Sequence, residues 1–127
     1  VSPATVKQTQ RVVSAWRDVL RKHAQISCLL DNALRPHGLG VSEYEILDRL
    51  AEFECDGVRA QELERSIHLT QSALSRAIAR LEKDGLVERN MCRDDRRGVT
   101  VGLTDAGRSR HAEAQPEYLA ILTEHLT

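Results

Sequence analysis

Six side chains between positions 71 and 83 combine types and spacing suited to an extended polyanion: Gln71, Ser72, Ser75, Arg76, Arg80 and Lys83. Gln and Arg make paired hydrogen bonds to base edges, while Ser and Lys hold phosphate oxygens. On a helical wheel they share one side with Ala79, and the only close acid is Glu82, at its edge. An ordinary amphipathic surface helix carries the same pattern, so the neighbouring elements must decide between the two.

The elements that would position these side chains are legible around them. Leu74, Ile78 and Leu81 fall at i, i+4 and i+7, with Ala73 and Ala77 beside them, so a buried stripe lies opposite the polar face. Thr70 is the expected N-cap, and Gly85 the expected left-handed stop. Ala60 to Ile67 reads as a short helix with Leu63 and Ile67 inward, joined to the next by the turn at Ser66 to Leu69. Two short helices joined in this way form a helix-turn-helix. After Gly85, the segments 86–91 and 99–103 have strand character and flank the charged run CRDDRRG. That is a β-hairpin with a basic tip, in which Arg93, Arg96 and Arg97 face an anion. A solvated turn is the alternative meaning of the run alone. Helix-turn-helix followed at once by such a hairpin is a winged helix, and Arg at a wing tip suits the negative potential of the minor groove.

Upstream, Ser42 and Glu45 have the spacing of a capping box, opening a helix that runs to about Phe53 and buries Ile46, Leu47 and Leu50. Val58-Arg59 reads as a short strand. Residues 36–40 form a break, and Ser2-Pro3 predicts an irregular lead-in through Thr5. From Val6 to Leu34, the residues Val12, Trp16, Val19, His23, Ile26, Leu30 and Ala33 alternate spacings of four and three, a coiled-coil-like seam. A helix of that extent is roughly 43 Å long, against about 30–35 Å for a compact chain of this size. It should project beyond its own core onto a partner, most simply a second copy. Thr104 is positioned to cap a last helix, which Pro116 is expected to kink or break before Tyr118, Leu119, Leu122 and Leu126 resume its apolar stripe.

The 127 residues suggest one domain. Eighteen Lys and Arg against nineteen Asp and Glu give a neutral balance, yet positions 70–97 hold seven cations and five acids, a local positive surplus. No run of 18 apolar residues predicts a membrane span, and no signal-peptide pattern opens the sequence. Cys28, Cys55 and Cys92 are odd in number and widely spaced, which favours a reducing cytoplasm over a disulfide framework. No cofactor motif is present. His23, His37, His68, His111 and His125 form no metal-ligand cluster, and no phosphate loop, nucleophile elbow or zinc-hydrolase motif points to an enzyme.

With these residues in view, the sequence resembles the MarR family of transcriptional regulators. The matching blocks are Leu63 with Leu69-Thr70-Gln71-Ser72, Leu74-Ser75-Arg76, the run from Leu81-Glu82 through Gly85-Leu86-Val87 to Arg89, the wing Asp95-Arg96-Arg97, and Val101 through Leu103-Thr104 to Gly107. The combination is specific, although no single block is. The resemblance implies a mainly α fold with a small β-hairpin wing. Residues 41–103 would be the winged helix-turn-helix, and the segments 6–36 and 104–127 a helical dimerisation region. It implies a homodimer whose recognition helices enter successive major grooves of a palindromic operator in double-stranded DNA, most often as a repressor. Gln71, Ser72, Ser75, Arg76 and Arg80 would face bases and phosphates, with Lys83 on the same helix face. Arg96 would sit at the wing tip for the minor groove, and Asp95 and Arg97 would brace the wing by a salt bridge. Release by a small aromatic or anionic effector is implied too, with Trp16, His23, Tyr44 and Leu47 as candidate pocket residues. Three features depart from the family. His68 stands where Gly is common in the turn, so strain is expected there. Glu64 replaces a usual Ala, placing charge between the short helices. The sequence ends at Thr127, where relatives often continue into a further helix, so a smaller dimer contact or a shortened chain is expected.

Two rival readings belong to other classes. A winged helix can bind protein instead of DNA, but such a module would expose apolar residues where this one has Arg96 and Arg97. A redox sensor would use a reactive thiol. Cys28 is expected to be buried and inert, while Cys92, beside Arg93, is the more exposed candidate.

Overall fold

A computed structural model describes residues 3–52, 58–91 and 99–127. The chain opens with one long helix, α1 (Pro3–Leu34), followed by a 3-10 turn at Arg35–His37. Helix α2 spans Val41–Ala51, β1 Val58–Arg59, α3 Ala60–Ser66 and α4 Gln71–Lys83. Two strands follow, β2 (Val87–Met91) and β3 (Val99–Leu103), and then the closing helix α5 (Asp105–Leu126). The antiparallel sheet has the order β1-β3-β2, with Val58 opposite Val101 and Arg89 opposite that same residue from the other side. This is a winged helix-turn-helix, mainly α with a hairpin wing, as its sequence predicts.

The core explains why the short elements hold. Leu63 of α3, Leu74, Ile78 and Leu81 of α4, Ile46, Leu47 and Leu50 of α2, and Leu86 and Val101 of the hairpin are all buried in one cluster. None of these helices would persist alone at such lengths, so tertiary burial of their apolar stripes stabilises them. Arg49 ties α2 to α3, its Nη2 donating to the Ser66 carbonyl at 3.4 Å.

Helix α1 divides along its length. Ile26, Leu30 and Leu34 enter the core, whereas Val12, Trp16 and Val19 on the same seam remain exposed, Trp16 by 59%. Every exposed large hydrophobic among the described residues lies on α1 or α5. No described helix is long and apolar enough to cross a membrane.

Several expectations are corrected. Helix α1 begins at Pro3, so the lead-in is shorter than predicted, because Pro is tolerated where the first N–H groups have no helical partner anyway. The capping box at Ser42 does not form. Helix α2 starts two residues earlier, with Gly40 as N-cap, and the Val41 N–H is taken by Asp31 Oδ1 of α1 at 3.2 Å. Glu45 is thereby left to accept a hydrogen bond from Tyr118 instead. Helix α5 runs unbroken through Pro116. Pro116 and Ala112 both lie on the exposed side, where water can satisfy the carbonyl that proline leaves without a donor, while Ala114 and Tyr118 anchor the turns around it. The turn at His68 carries no strain, since no described residue other than glycine has a positive φ. Glu64 points into solvent and puts no charge between the short helices.

Candidate nucleic-acid interface

Helix α4 is capped as its sequence requires. Thr70 Oγ1 accepts from the Ala73 N–H at 3.1 Å. At the other end the Gly85 N–H donates to the Glu82 carbonyl at 3.0 Å and the Leu86 N–H to the Leu81 carbonyl at 2.9 Å. This is a Schellman motif, and it needs the left-handed φ of +76° that Gly85 adopts. Leu81 and Leu86, both buried, supply its usual apolar contact.

A second lock joins this end of α4 to the wing and α5. Thr104 caps α5 by accepting from the Gly107 N–H at 3.0 Å, and its hydroxyl donates to the Gly85 carbonyl at 2.7 Å. Its own N–H reaches the Leu86 carbonyl at 3.1 Å. Gly107 permits this approach, because a Cβ there would sit 2.0 Å from the Leu86 carbonyl oxygen. The end of α4, the root of the wing and the start of α5 are therefore one rigid junction.

Held in this way, α4 buries Leu74, Ala77, Ile78 and Leu81 and exposes Gln71, Ser72, Ser75, Arg76, Arg80 and Lys83. Helical geometry runs Ser72, Arg76 and Lys83 down the middle of that face, with Gln71 and Arg80 at opposite edges. All six sequence candidates on the helix are thus brought together on one open surface. Arg76 has no carboxylate partner among the described residues, whereas Arg80 Nη2 lies 3.6 Å from Glu43 Oε1 of α2. Glu82, the acid at the edge, is drawn to Arg89 of β2 at 3.5 Å. Arg93, Asp95, Arg96 and Arg97, with the Asp95–Arg97 bridge, lie outside the described residues, as does Cys92. Cys28 is exposed on α1, contrary to the buried thiol expected.

Among the described residues, two clefts open where α1 faces α2. The larger, of about 580 Å³, lies between α1, the start of α2 and the α3–α4 turn, and is lined by His23, Ser27, Asp31, Glu43, Glu45 and His68 among others. The smaller, of about 430 Å³, lies between α1, α2 and α5, with apolar walls from Val19, Ile26, Leu30 and Leu122 and with Lys22 and His23 among its polar members. Of the four residues predicted for a pocket, only His23 lines these clefts. Tyr44 and Leu47 are almost wholly buried in the core, because both fall on the inward stripe of α2. Trp16 stands two turns further out on α1, exposed.

Sequence reasoning missed the polar joint between α2 and α5. The Tyr44 ring stacks on Tyr118 at 3.9 Å between centroids and on His111 at 5.3 Å. His111 Nε2 is 2.8 Å from Asp48 Oδ1, and the Tyr118 hydroxyl donates to Glu45 at 3.2 Å. Burial, with the Asp48 and Glu45 carboxylates adding to it, pushes the Tyr44 phenol up to about 12. Burial first, and then Glu45, raises Tyr118 well above the usual tyrosine range. The i, i+4 spacing of Tyr44 and Asp48, and the i, i+7 spacing of His111 and Tyr118, put these side chains on single faces, but nothing in either helix names the other as partner.

Comparison with known proteins agrees with this geometry. Residues 37–98 match the model of the MarR family. AbsC, a MarR family transcriptional regulator from Streptomyces coelicolor, is 34% identical and superposes with a TM-score of 0.81 over 89% of this chain and 76% of its own. Sco3205, a MarR family regulator from the same organism solved in complex with DNA, is 32% identical, with a TM-score of 0.81 over 88% of this chain and 71% of its own. CouR from Rhodococcus jostii RHA1, solved with bound p-coumaroyl-CoA, is 26% identical, with a TM-score of 0.76 over 85% and 75%. A shared fold, more than 30% identity to regulators of which this chain covers over two thirds, and the motifs along α4 and the wing lead to one conclusion: the chain belongs to the MarR family of transcriptional regulators.

Proposed function

We propose that the protein is a sequence-specific regulator that binds a palindromic operator in double-stranded DNA as a homodimer, most simply as a cytoplasmic repressor. The observation that carries this reading is the face of α4, where Gln71, Ser72, Ser75, Arg76, Arg80 and Lys83 stand exposed on a helix whose other side is locked into the core. Residues 41–103 form the DNA-binding module, with α4 in the major groove. Arg93, Arg96 and Arg97 of the wing reach the minor groove, Asp95 bracing Arg97. The relative Sco3205 was solved on DNA, which supports the same use here.

The dimer is built from the segments 6–36 and 104–127. Val12, Trp16 and Val19 of α1 and Leu119 and Leu126 of α5 are exposed apolar side chains on the two helices that this reading pairs. The effector is a small aromatic or anionic compound, held in the smaller cleft, whose apolar walls suit a ring and whose Lys22 suits a carboxylate. CouR, with its bound aromatic thioester, supports that class.

Fluorescence anisotropy against the DNA upstream of the protein's own gene and against random duplex, across a salt series, tests the reading. Tight, selective binding that weakens steeply with salt is expected. Arg76→Ala should weaken it by about 1–3 kcal/mol if Arg76 reads a base, and an unchanged affinity removes that role.

A further inference from the structure

Arg80 differs from its neighbours on α4 in having a partner. Its guanidinium lies 3.6 Å from Glu43 of α2, and the two ends of the pair are unequal: the Glu43 side chain is 14% exposed and that of Arg80 65%. Glu43 sits in the first turn of α2, where the positive end of the helix dipole favours a carboxylate. Its second oxygen is pressed against the N-cap, since a Cβ on Gly40 would meet Oε2 at 2.7 Å. Glu43 is therefore the anchored member, and Arg80 the one able to swing. The same Glu43 lines the larger cleft, so the pair stands between that cleft and the face that would meet DNA.

Arg80 lies at one edge of the exposed face, the place from which a long cation reaches backbone phosphate rather than a base. A guanidinium drawn to Glu43 is not free to neutralise a phosphate, and the carboxylate itself adds negative charge beside an approaching polyanion.

We propose that Glu43 is a positioning residue that restrains Arg80, so that the pair opens before Arg80 takes a DNA phosphate and the cleft wall is coupled to the DNA face through this one contact. The proposal rests on reading α4 as the DNA-binding face. A pair at 3.6 Å whose cation is largely solvated is weak, so the restraint tunes affinity and does not abolish it.

The test compares Glu43→Gln, Arg80→Ala and the double variant with the unaltered protein, with Arg76→Ala as the control for the reading of α4. Binding is followed by anisotropy on the upstream DNA and on random duplex over a salt series, with thermal melting of each protein alongside. Glu43→Gln should bind both duplexes about two- to fivefold more tightly, with a log–log salt slope close to that of the unaltered protein, because Arg80 takes its phosphate in both complexes. The gain should vanish when Arg80 is Ala. Arg80→Ala alone should cost less than Arg76→Ala, because part of its contribution is spent on opening the pair, and this comparison serves if Glu43→Gln melts early. A loss or no change with Glu43→Gln, or a gain that survives in Arg80→Ala, overturns the proposal while binding that depends on Arg76 stands. If the unaltered protein binds neither duplex, the reading of α4 fails and the proposal falls with it.

Discussion

Gly107→Ala offers a demanding check on the junction that aims α4. A Cβ at this position would sit 2.0 Å from the Leu86 carbonyl oxygen, 3.0 Å from its carbon and 3.1 Å from Leu103 Cδ2. The first two are backbone atoms and cannot rotate away, so α5 and the root of the wing must separate by more than an ångström. That movement pulls on the Thr104 cap, the Thr104–Gly85 hydrogen bond and the Thr104–Leu86 backbone bond. Overpacking of this kind costs about 1–3 kcal/mol, and a strained cap with one further hydrogen bond adds roughly 1–2 kcal/mol. Alanine returns about 1 kcal/mol through its helix propensity. The net loss should be about 1–4 kcal/mol, a large part of the total for a domain of this size. Urea unfolding followed by circular dichroism at 222 nm measures it, with Gly85→Ala as the contrast. A Cβ at Gly85 meets nothing within 4 Å, so only its positive φ is penalised, by about 1–2 kcal/mol. If Gly107→Ala is neutral or stabilising, or costs no more than Gly85→Ala, close backbone approach is not what selects glycine at 107.

Three further outcomes follow from the structure. The Tyr44 hydroxyl is buried with no hydrogen-bond partner among the described residues, so Tyr44→Phe should be neutral or stabilising, by up to about 1 kcal/mol, while Tyr118→Phe loses its bond to Glu45 and should destabilise by about 1–2 kcal/mol. Equal effects in urea titrations would contradict this assignment of the two phenols. Tyr44 and Tyr118 are the only tyrosines in the chain, and both are raised in the fold. Absorbance at 295 nm should therefore show little tyrosinate in the native protein near pH 10–11, where free phenols ionise. Because the folded state keeps protons that the unfolded state gives up, this contribution to stability is complete below pH 10 and declines as pH rises from 10 towards 12. Trp16→Asp should leave the fold intact, since the indole is exposed within the chain, but it should shift the sedimentation equilibrium towards monomer by at least about tenfold if α1 forms the dimer contact.

Local signals carried much of this protein. Thr70, Thr104 and Gly85 work as their residue types predict, because caps and left-handed stops depend on a few neighbouring atoms. The apolar stripe of α4 and the polar face opposite it follow from helical periodicity alone, so the candidate DNA surface is legible in the sequence. The motifs around Leu81–Arg89 and Val101–Gly107 pointed to the family for the same reason.

Only tertiary structure decided which elements meet. Glu45 belongs to Tyr118 and not to a capping box, because Asp31, ten residues before Val41, takes the N–H at the start of α2. Glu43 finds Arg80, and His111 finds Asp48, across gaps that no local pattern spans. Tyr44 and Leu47 look available for a pocket in sequence, yet they close the core once α5 packs over α2. A chain encodes its short-range geometry residue by residue, whereas charge pairs and cavities belong to surfaces that exist only after distant helices have been brought together.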